Sequence, residues 1–333
     1  MSLSTSHIKK NKNIENLNKR KVQLQYKGLT NIQPLCIILL LMLCDVRVLA
    51  PAKINIGLRV MPARADGYHG IESIFQTIPF YDKLALQRIG DSGSKCHVVC
   101  NGMILPERNT LTSAYEVFCE VTGVSESLKV YLEKNIPSGA GLGGGSSDAA
   151  SLINALDAVY GTNLSLNQKH YIASKVGSDV FFFMGCSDVT NPFAAVVGGR
   201  GEVVNSIIPR RDLFYVLICP DVHSSTAEAY RLVDQWYEPN WDWDSYSAEQ
   251  LESVYNNPVE TWGFVNSFTA PLVQHYPLIG EGLQDLKDVG ASFAQMSGSG
   301  SAVFGIFSTK DSAACAFLKL RKKWKQCYTF AFS

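Results

Sequence analysis

Between Pro137 and Ala150 the chain reads Pro-Ser-Gly-Ala-Gly-Leu-Gly-Gly-Gly-Ser-Ser-Asp-Ala-Ala. Five glycines fall within seven positions: Gly139, Gly141, Gly143, Gly144 and Gly145. Lacking Cβ atoms, they let a ligand approach the main chain and permit the positive φ that turns successive N–H groups toward one point. Ser146 and Ser147 then open an apolar-periodic run, so the loop feeds a helix N-terminus, where free amides and the dipole favour an anion. The chemistry predicted is a phosphate cradle running from Pro137 through Leu142 to Ser147. Its two hydroxyls suit phosphate or Mg²⁺, and Asp148 is the loop's other hard-cation ligand.

Other glycine loops fit less well. Gly139-Ala-Gly141-Leu-Gly-Gly144 satisfies the G-x-G-x-x-G spacing of dinucleotide sites. Such a site needs a strand running into its first glycine and an acid ending the second strand about 20 residues later. Pro137 interrupts the approach, and Asp157 falls inside a predicted helix. A Walker A loop would need Lys-Ser or Lys-Thr after the glycines, and none is there. A flexible linker would not lead straight into an amphipathic helix. The cradle's lysine must therefore come from elsewhere in the chain.

Lys53 is the candidate. Ile54, Ile56, Leu58 and Val60 alternate with Lys53, Asn55, Gly57 and Arg59, the period of two of a half-buried strand with Lys53 and Asn55 side by side on its polar face. The same spacing also suits an ordinary solvated strand lysine. Downstream, Arg64–His69 reads as a turn, Ile71–Phe80 as a strand and Asp91–Ser94 as a hairpin turn. A helix capped by Thr110 is expected, then a strand over Val130–Ile136, and a helix from the serines to Gly161. A further helix leads to Val176, and the very apolar Val180–Met184 follows. Phe193–Val204 has strand character, Pro209–Asp212 marks a boundary, and Leu213–Cys219 begins a new buried strand. Residues 231–262, with Trp236, Trp241, Trp243 and Trp262, read as a surface insertion. Ile279, Leu283 and Leu286 define a helix, and Ser297–Ser301 joins strands Ser292–Met296 and Ala302–Phe307.

The 333 residues carry 46% apolar and 18% charged side chains and no formal net charge. Residues 1–34 hold seven Lys/Arg against one Glu, so the remainder carries six net negative charges. A mildly acidic body without a basic stripe argues against nucleic acid as a partner. The nine cysteines are scattered and form no zinc pattern, as expected of free thiols in a reducing compartment. The apolar run Leu35–Cys44 is far short of the ~20 residues of a membrane span. With its basic flank it resembles a signal peptide, but Asp45 and Arg47 interrupt it before Ala50. Residues 1–41 are expected to be an extension, either a disordered tail or the product of a misassigned start with translation beginning at Met42. A cytoplasmic location is expected, with organellar targeting by the tail left open, and the chain is expected to be a monomer or homodimer.

Three motifs in order, Pro51-Ala-Lys-Ile-Asn55, Pro137–Ala150 and Met296-Ser-Gly-Ser-Gly-Ser-Ala302, resemble those of the galactokinase–homoserine kinase–mevalonate kinase–phosphomevalonate kinase (GHMP) superfamily. Ala65-Asp-Gly-Tyr-His69 and the Phe75-Gln76 pair resemble its branch acting on 4-diphosphocytidyl-2-C-methyl-D-erythritol. The similarity covers roughly residues 48–308. It implies an α+β, two-domain fold: a ribosomal-S5-like N-terminal domain, placed at residues 42–208, and a ferredoxin-like C-terminal domain at 209–333. It also implies ATP and Mg²⁺, and transfer of a phosphoryl group to the substrate 2-hydroxyl in non-mevalonate isoprenoid synthesis. Homoserine- or mevalonate-type kinases are the alternative.

By the same resemblance, Gly177-Ser-Asp-Val180 makes Asp179 the base, held ionised by Lys53. Tyr68 and His69 would grip the cytidine, with Tyr230 stacking on the base. Asn55 and Phe75 would neighbour the methylerythritol end. Gly298 and Gly300 would close over the diphosphate, although a tight interstrand turn explains them nearly as well. Nucleotide would lie along Pro137, Gly139, Gly141, Leu142, Gly143, Gly144, Gly145, Ser146 and Ser147, with Ser147 a magnesium ligand. Phe181 stands where the family has Pro, and Ser267 and Thr269 stand where it has acids.

Overall fold

The computed structural model describes residues 46–90, 93–186, 188–237 and 246–332. The tail, the Leu35–Cys44 run, Asp91 at the supposed hairpin, and Trp241 and Trp243 lie outside the described residues. Two long strands carry the first half: β1 (Val46–Ala63) and β2 (His69–Arg88), antiparallel along nearly their whole length. Each edge of β2 is used. β1 takes one, while β4 (Leu128–Glu133) and β5 (Ala194–Gly198) pair with opposite ends of the other. β3 (Cys96–Cys100) lies parallel to β4, and β6 (Val203–Ile207) closes the sheet beside β5. The hairpin expected near Asp91 is therefore not one, because β3 pairs with β4 instead of β2.

The alternation in β1 is real, but the strand is not half-buried. Lys53 and Asn55 are as inaccessible as Ile54 and Ile56, because the glycine loop lies over the polar face. Helices α1 (Thr110–Thr122), α2 (Gly144–Tyr160), α3 (Leu166–Val176) and α4 (Ser178–Met184) pack around this sheet. α2 begins at Gly144, two residues before the predicted start, with Gly143 in the left-handed region as its cap. It ends where expected, at left-handed Gly161. Asn109, not Thr110, caps α1 through a reciprocal capping box.

The second sheet contains β7 (Phe214–Ile218), β8 (Phe293–Met296), β9 (Val303–Phe307) and β10 (Cys327–Ala331), in the order β10-β7-β9-β8. Four antiparallel strands in spatial order 4-1-3-2, with helices after the first and third, form the ferredoxin-like arrangement. The helices are α5 (Thr226–Tyr237), α6 (Ala248–Tyr255), α7 (Thr269–His275), α8 (Pro277–Asp288) and α9 (Lys310–Leu320). Trp262 corrects the surface-insertion reading. It is buried, stacked on Tyr255 and edge-on to Phe264 and Phe293. Trp236 is exposed.

Ser267 and Thr269, which depart from the family pattern, have structural work. Ser267 Oγ accepts from Val60 N and donates to Leu58 O, continuing the edge of β1. Thr269 Oγ1 donates to Gln295 Oε1 at 2.8 Å. Phe181 contacts the His170 ring and does not line the cleft described below.

Candidate active site

A cavity of about 480 Å³ lies between Lys53 and Asn55 of β1, the loop Pro137–Ser146, Asp179 of α4, Tyr230 of α5 and the turn Gly298–Ser299. The loop owes its path to its glycines. Gly139, Gly141 and Gly143 have φ of 70°, 78° and 70°. A Cβ on Gly141 would stand 2.0 Å from the Ser297 carbonyl oxygen, so only glycine lets the Ser297 turn close against the loop. Several hydrogen bonds seal that contact. Ser297 Oγ donates to Gly141 O at 2.9 Å and accepts from Asn55 N at 3.2 Å, while Ala302 N donates to Ala140 O. Asn266 Nδ2 bridges Met296 O and Gly298 O from below. Gly298 and Ser299 of this tight interstrand turn line the cavity, whereas Gly300, expected beside them, does not and faces Met296.

The start of α2 has no side-chain cap. Its first-turn amides are therefore open to an anion, and Ser146 lines the cavity beside them. Ser147 does not fit its expected place. It is fully buried, absent from the cavity wall, and its hydroxyl has no partner. The step of about 100° between consecutive helical residues carries the Ser147 side chain into the core while Ser146 stays at the cavity. Asp148 does line the cavity, and its Oδ1 is buried without a hydrogen bond.

Lys53 and Asp179 meet. Lys53 Nζ lies 3.4 Å from Asp179 Oδ2, donates to Asn55 Oδ1 at 2.6 Å and sits over the Phe75 ring at 4.6 Å. The lysine is 3% exposed, whereas the Asp179 side chain keeps 29% of its surface open toward the cleft. Burial pushes the Lys53 ammonium below the usual lysine range, against the opposing pull of Asp179. Asp179 lies in the first turn of α4, where the helix N-terminus favours its negative charge.

The expected cytidine grip is divided. His69 opens β2 and turns inward: Nδ1 donates to Met61 O at 2.8 Å, Nε2 stands 3.5 Å from Asp234 Oδ1, and the ring stacks on Tyr230 at 4.9 Å. Tyr68, one residue earlier, is 53% exposed, with the Arg200 guanidinium 3.5 Å above its ring. Of the three, Tyr230 lines the cavity, and Phe75 lines it beneath Lys53.

Among the wall residues that sequence reasoning missed, two polar ones stand out. Thr226 reaches across to Ser299, Oγ to Oγ at 3.3 Å. Lys134, three residues before Pro137, binds Asp82 and Asp148 together, the latter at 2.8 Å. Burial works against that ammonium, but the two carboxylates outweigh it and hold the lysine above its usual range. Burial also pushes the Asp148 carboxyl up to about 7, with Lys134 opposing. A charge so close to Pro137 was the available signal for Lys134. Asp82 gave none, because its role depends on the path that brings Lys134–Ile136 against the middle of β2.

Glycine cradle, buried lysine and cleft aspartate on this two-sheet frame define a GHMP kinase. The models of the GHMP kinases N-terminal and C-terminal domains match residues 109–199 and 259–326. The chain is 40% identical to the 4-diphosphocytidyl-2-C-methyl-D-erythritol kinase of Treponema pallidum, over 84% of this chain and 95% of that protein. It is 36% identical to the enzyme of the same name from Syntrophotalea carbinolica, over 83% and 95%. A crystal structure of 4-(cytidine 5'-diphospho)-2C-methyl-D-erythritol kinase superposes with a TM-score of 0.71 at 30% identity, covering 86% of this chain and 98% of that one. The chain belongs to the 4-diphosphocytidyl-2-C-methyl-D-erythritol kinase family.

Proposed function

We propose that this kinase transfers the γ-phosphoryl group of ATP to the 2-hydroxyl of 4-diphosphocytidyl-2-C-methyl-D-erythritol, the step expected in non-mevalonate isoprenoid synthesis. The observation that carries the reading is the 3.4 Å approach of Lys53 Nζ to Asp179 Oδ2 at the wall of the glycine-lined cavity. Asp179 accepts the hydroxyl proton as that oxygen bonds to the γ-phosphorus. The bond from phosphorus to the β–γ bridging oxygen breaks, and ADP leaves. Lys53 holds Asp179 in position and offsets charge on the transferring group, while the loop amides hold the phosphates. Positioning and electrostatics supply most of the rate in phosphoryl transfer.

The donors present fit a magnesium ion. The Ser146 hydroxyl and the buried, unpartnered Asp148 Oδ1 are hard oxygens of two residues that line the cavity and would hold it in place of the expected Ser147. Bound there, it would neutralise phosphate charge. Tyr230, backed by His69, offers an aromatic face for the cytosine. The division at residues 208/209 belongs to the same proposal, supported by the change of sheet between β6 and β7. A cytoplasmic site of action is supported by the seven described cysteines, all free thiols.

A coupled ATP-turnover assay of the full chain tests this reading. ADP release is expected with the diphosphocytidyl substrate and not with mevalonate or homoserine. Faster turnover with either of the latter would overturn it.

A further inference from the structure

An amide can serve an ammonium with only one of its ends. Oδ1 accepts, whereas Nδ2 presents hydrogens that repel. Asn55 turns Oδ1 to Lys53 Nζ, and nothing in asparagine itself selects that orientation. Ser73 does. It lies fully buried on β2, and its Oγ donates to the Gly57 carbonyl. That carbonyl is within reach because the β1–β2 register slips between Asn55 and Gly57. With its hydrogen committed, Ser73 Oγ has only lone pairs left for Asn55, and it accepts from Asn55 Nδ2 at 3.0 Å.

We propose that Ser73 is a positioning residue for phosphoryl transfer: it fixes the orientation of the Asn55 amide and, through it, the place of the Lys53 ammonium beside Asp179. Ser73 does not line the cavity, so it acts through Asn55 and not by touching ligand. The inference rests on the reading of Lys53 and Asp179 as the transfer centre.

The experiment compares Ser73→Ala, Ser73→Thr, Asn55→Ala, Ser73→Ala combined with Asn55→Ala, and Lys53→Ala in the full chain. Steady-state kcat and KM are measured with ATP and the diphosphocytidyl substrate. Ser73→Ala is expected to lower kcat about tenfold and to change the KM for ATP by less than about twofold, the scale of one buried hydrogen bond. Ser73→Thr, which keeps the hydroxyl, restores kcat to within about threefold. In the Asn55→Ala background, Ser73→Ala has no further effect. Retention of wild-type kcat by Ser73→Ala, or full additivity with Asn55→Ala, overturns the inference. If Ser73→Ala does not fold, Ser73→Cys takes its place, since a thiol is a weak donor and acceptor: reduced kcat supports the inference and wild-type kcat overturns it. Lys53→Ala separates the two levels. Turnover without Lys53 would sink the transfer-centre reading itself. An inactive Lys53→Ala beside an unaffected Ser73→Ala would sink only the role of Ser73.

Discussion

Lys53 and Lys134 touch consecutive glycines of one loop, and both are largely withdrawn from water, yet they end in opposite electrostatic states. A Cβ on Gly143 would come within 3.1 Å of Lys53 Cγ, and one on Gly144 within 2.9 Å of Lys134 Nζ. Lys134 is clamped by two buried carboxylates, and its proton is held more tightly than in water. Lys53 has one partly exposed carboxylate and an amide, too little to offset burial, and its proton is held less tightly. The number and burial of opposing charges decide which lysine is locked structure and which is free to answer a substrate's charge.

Exchanging each lysine for methionine breaks the comparison open. Lys53→Met is expected to lower kcat by about a thousandfold, within the range of electrostatic and acid–base contributions, while leaving urea-unfolding stability within about 1 kcal/mol. Lys134→Met strands Asp82 and Asp148 in the core and is expected to cost about 3–5 kcal/mol in the same unfolding measurement. Equal stability losses would mean that the two sites are not different in kind.

The glycines sharpen the contrast at smaller amplitude. Gly143→Ala strains a left-handed position and presses on the stem of Lys53 and on Phe183. The resulting shift of Lys53 is expected to lower kcat by up to about a hundredfold, the cost of a misplacement of about 1 Å. Gly144→Ala presses instead on Lys134 and Ile136 and is expected to lower stability by about 1–3 kcal/mol, as overpacking does, with the smaller loss in kcat.

The mildest effect is in pH. The proposed role needs Lys53 charged, and its proton leaves below the ordinary 10.5. The kcat/KM profile, which reports the free enzyme, should therefore fall as pH rises, with a midpoint below that value. A profile flat through pH 10.5 would remove Lys53 as a charged participant.

Much of this was legible in the residues. The loop, the left-handed stop at Gly161, the strand bearing Lys53 and Asn55, and the meeting of Lys53 with Asp179 followed from glycine spacing, periodicity and family motifs. Burial of both faces of β1 was not, because alternation reports polarity and the covering loop comes from more than 80 residues away in sequence. The choice between Ser146 and Ser147 depended on where α2 begins, and a glycine cap moved that start by two residues. Tyr68 and His69 are adjacent in sequence, but the turn ends between them, so one faces solvent beside Arg200 and the other faces Tyr230. Ser73 and Asp82 carry no motif. Their partners are set by β1–β2 register and by the path of the chain into Ile136.

Single-turnover transfer of the γ-phosphoryl group by Asp179→Asn, with ATP binding measured on the same preparation, tests the Lys53–Asp179 centre most directly. Nucleotide affinity within about threefold of wild type and transfer slowed by about 10²–10⁴ are the expected pair, the size of a lost general base. Transfer at the wild-type rate would contradict the account.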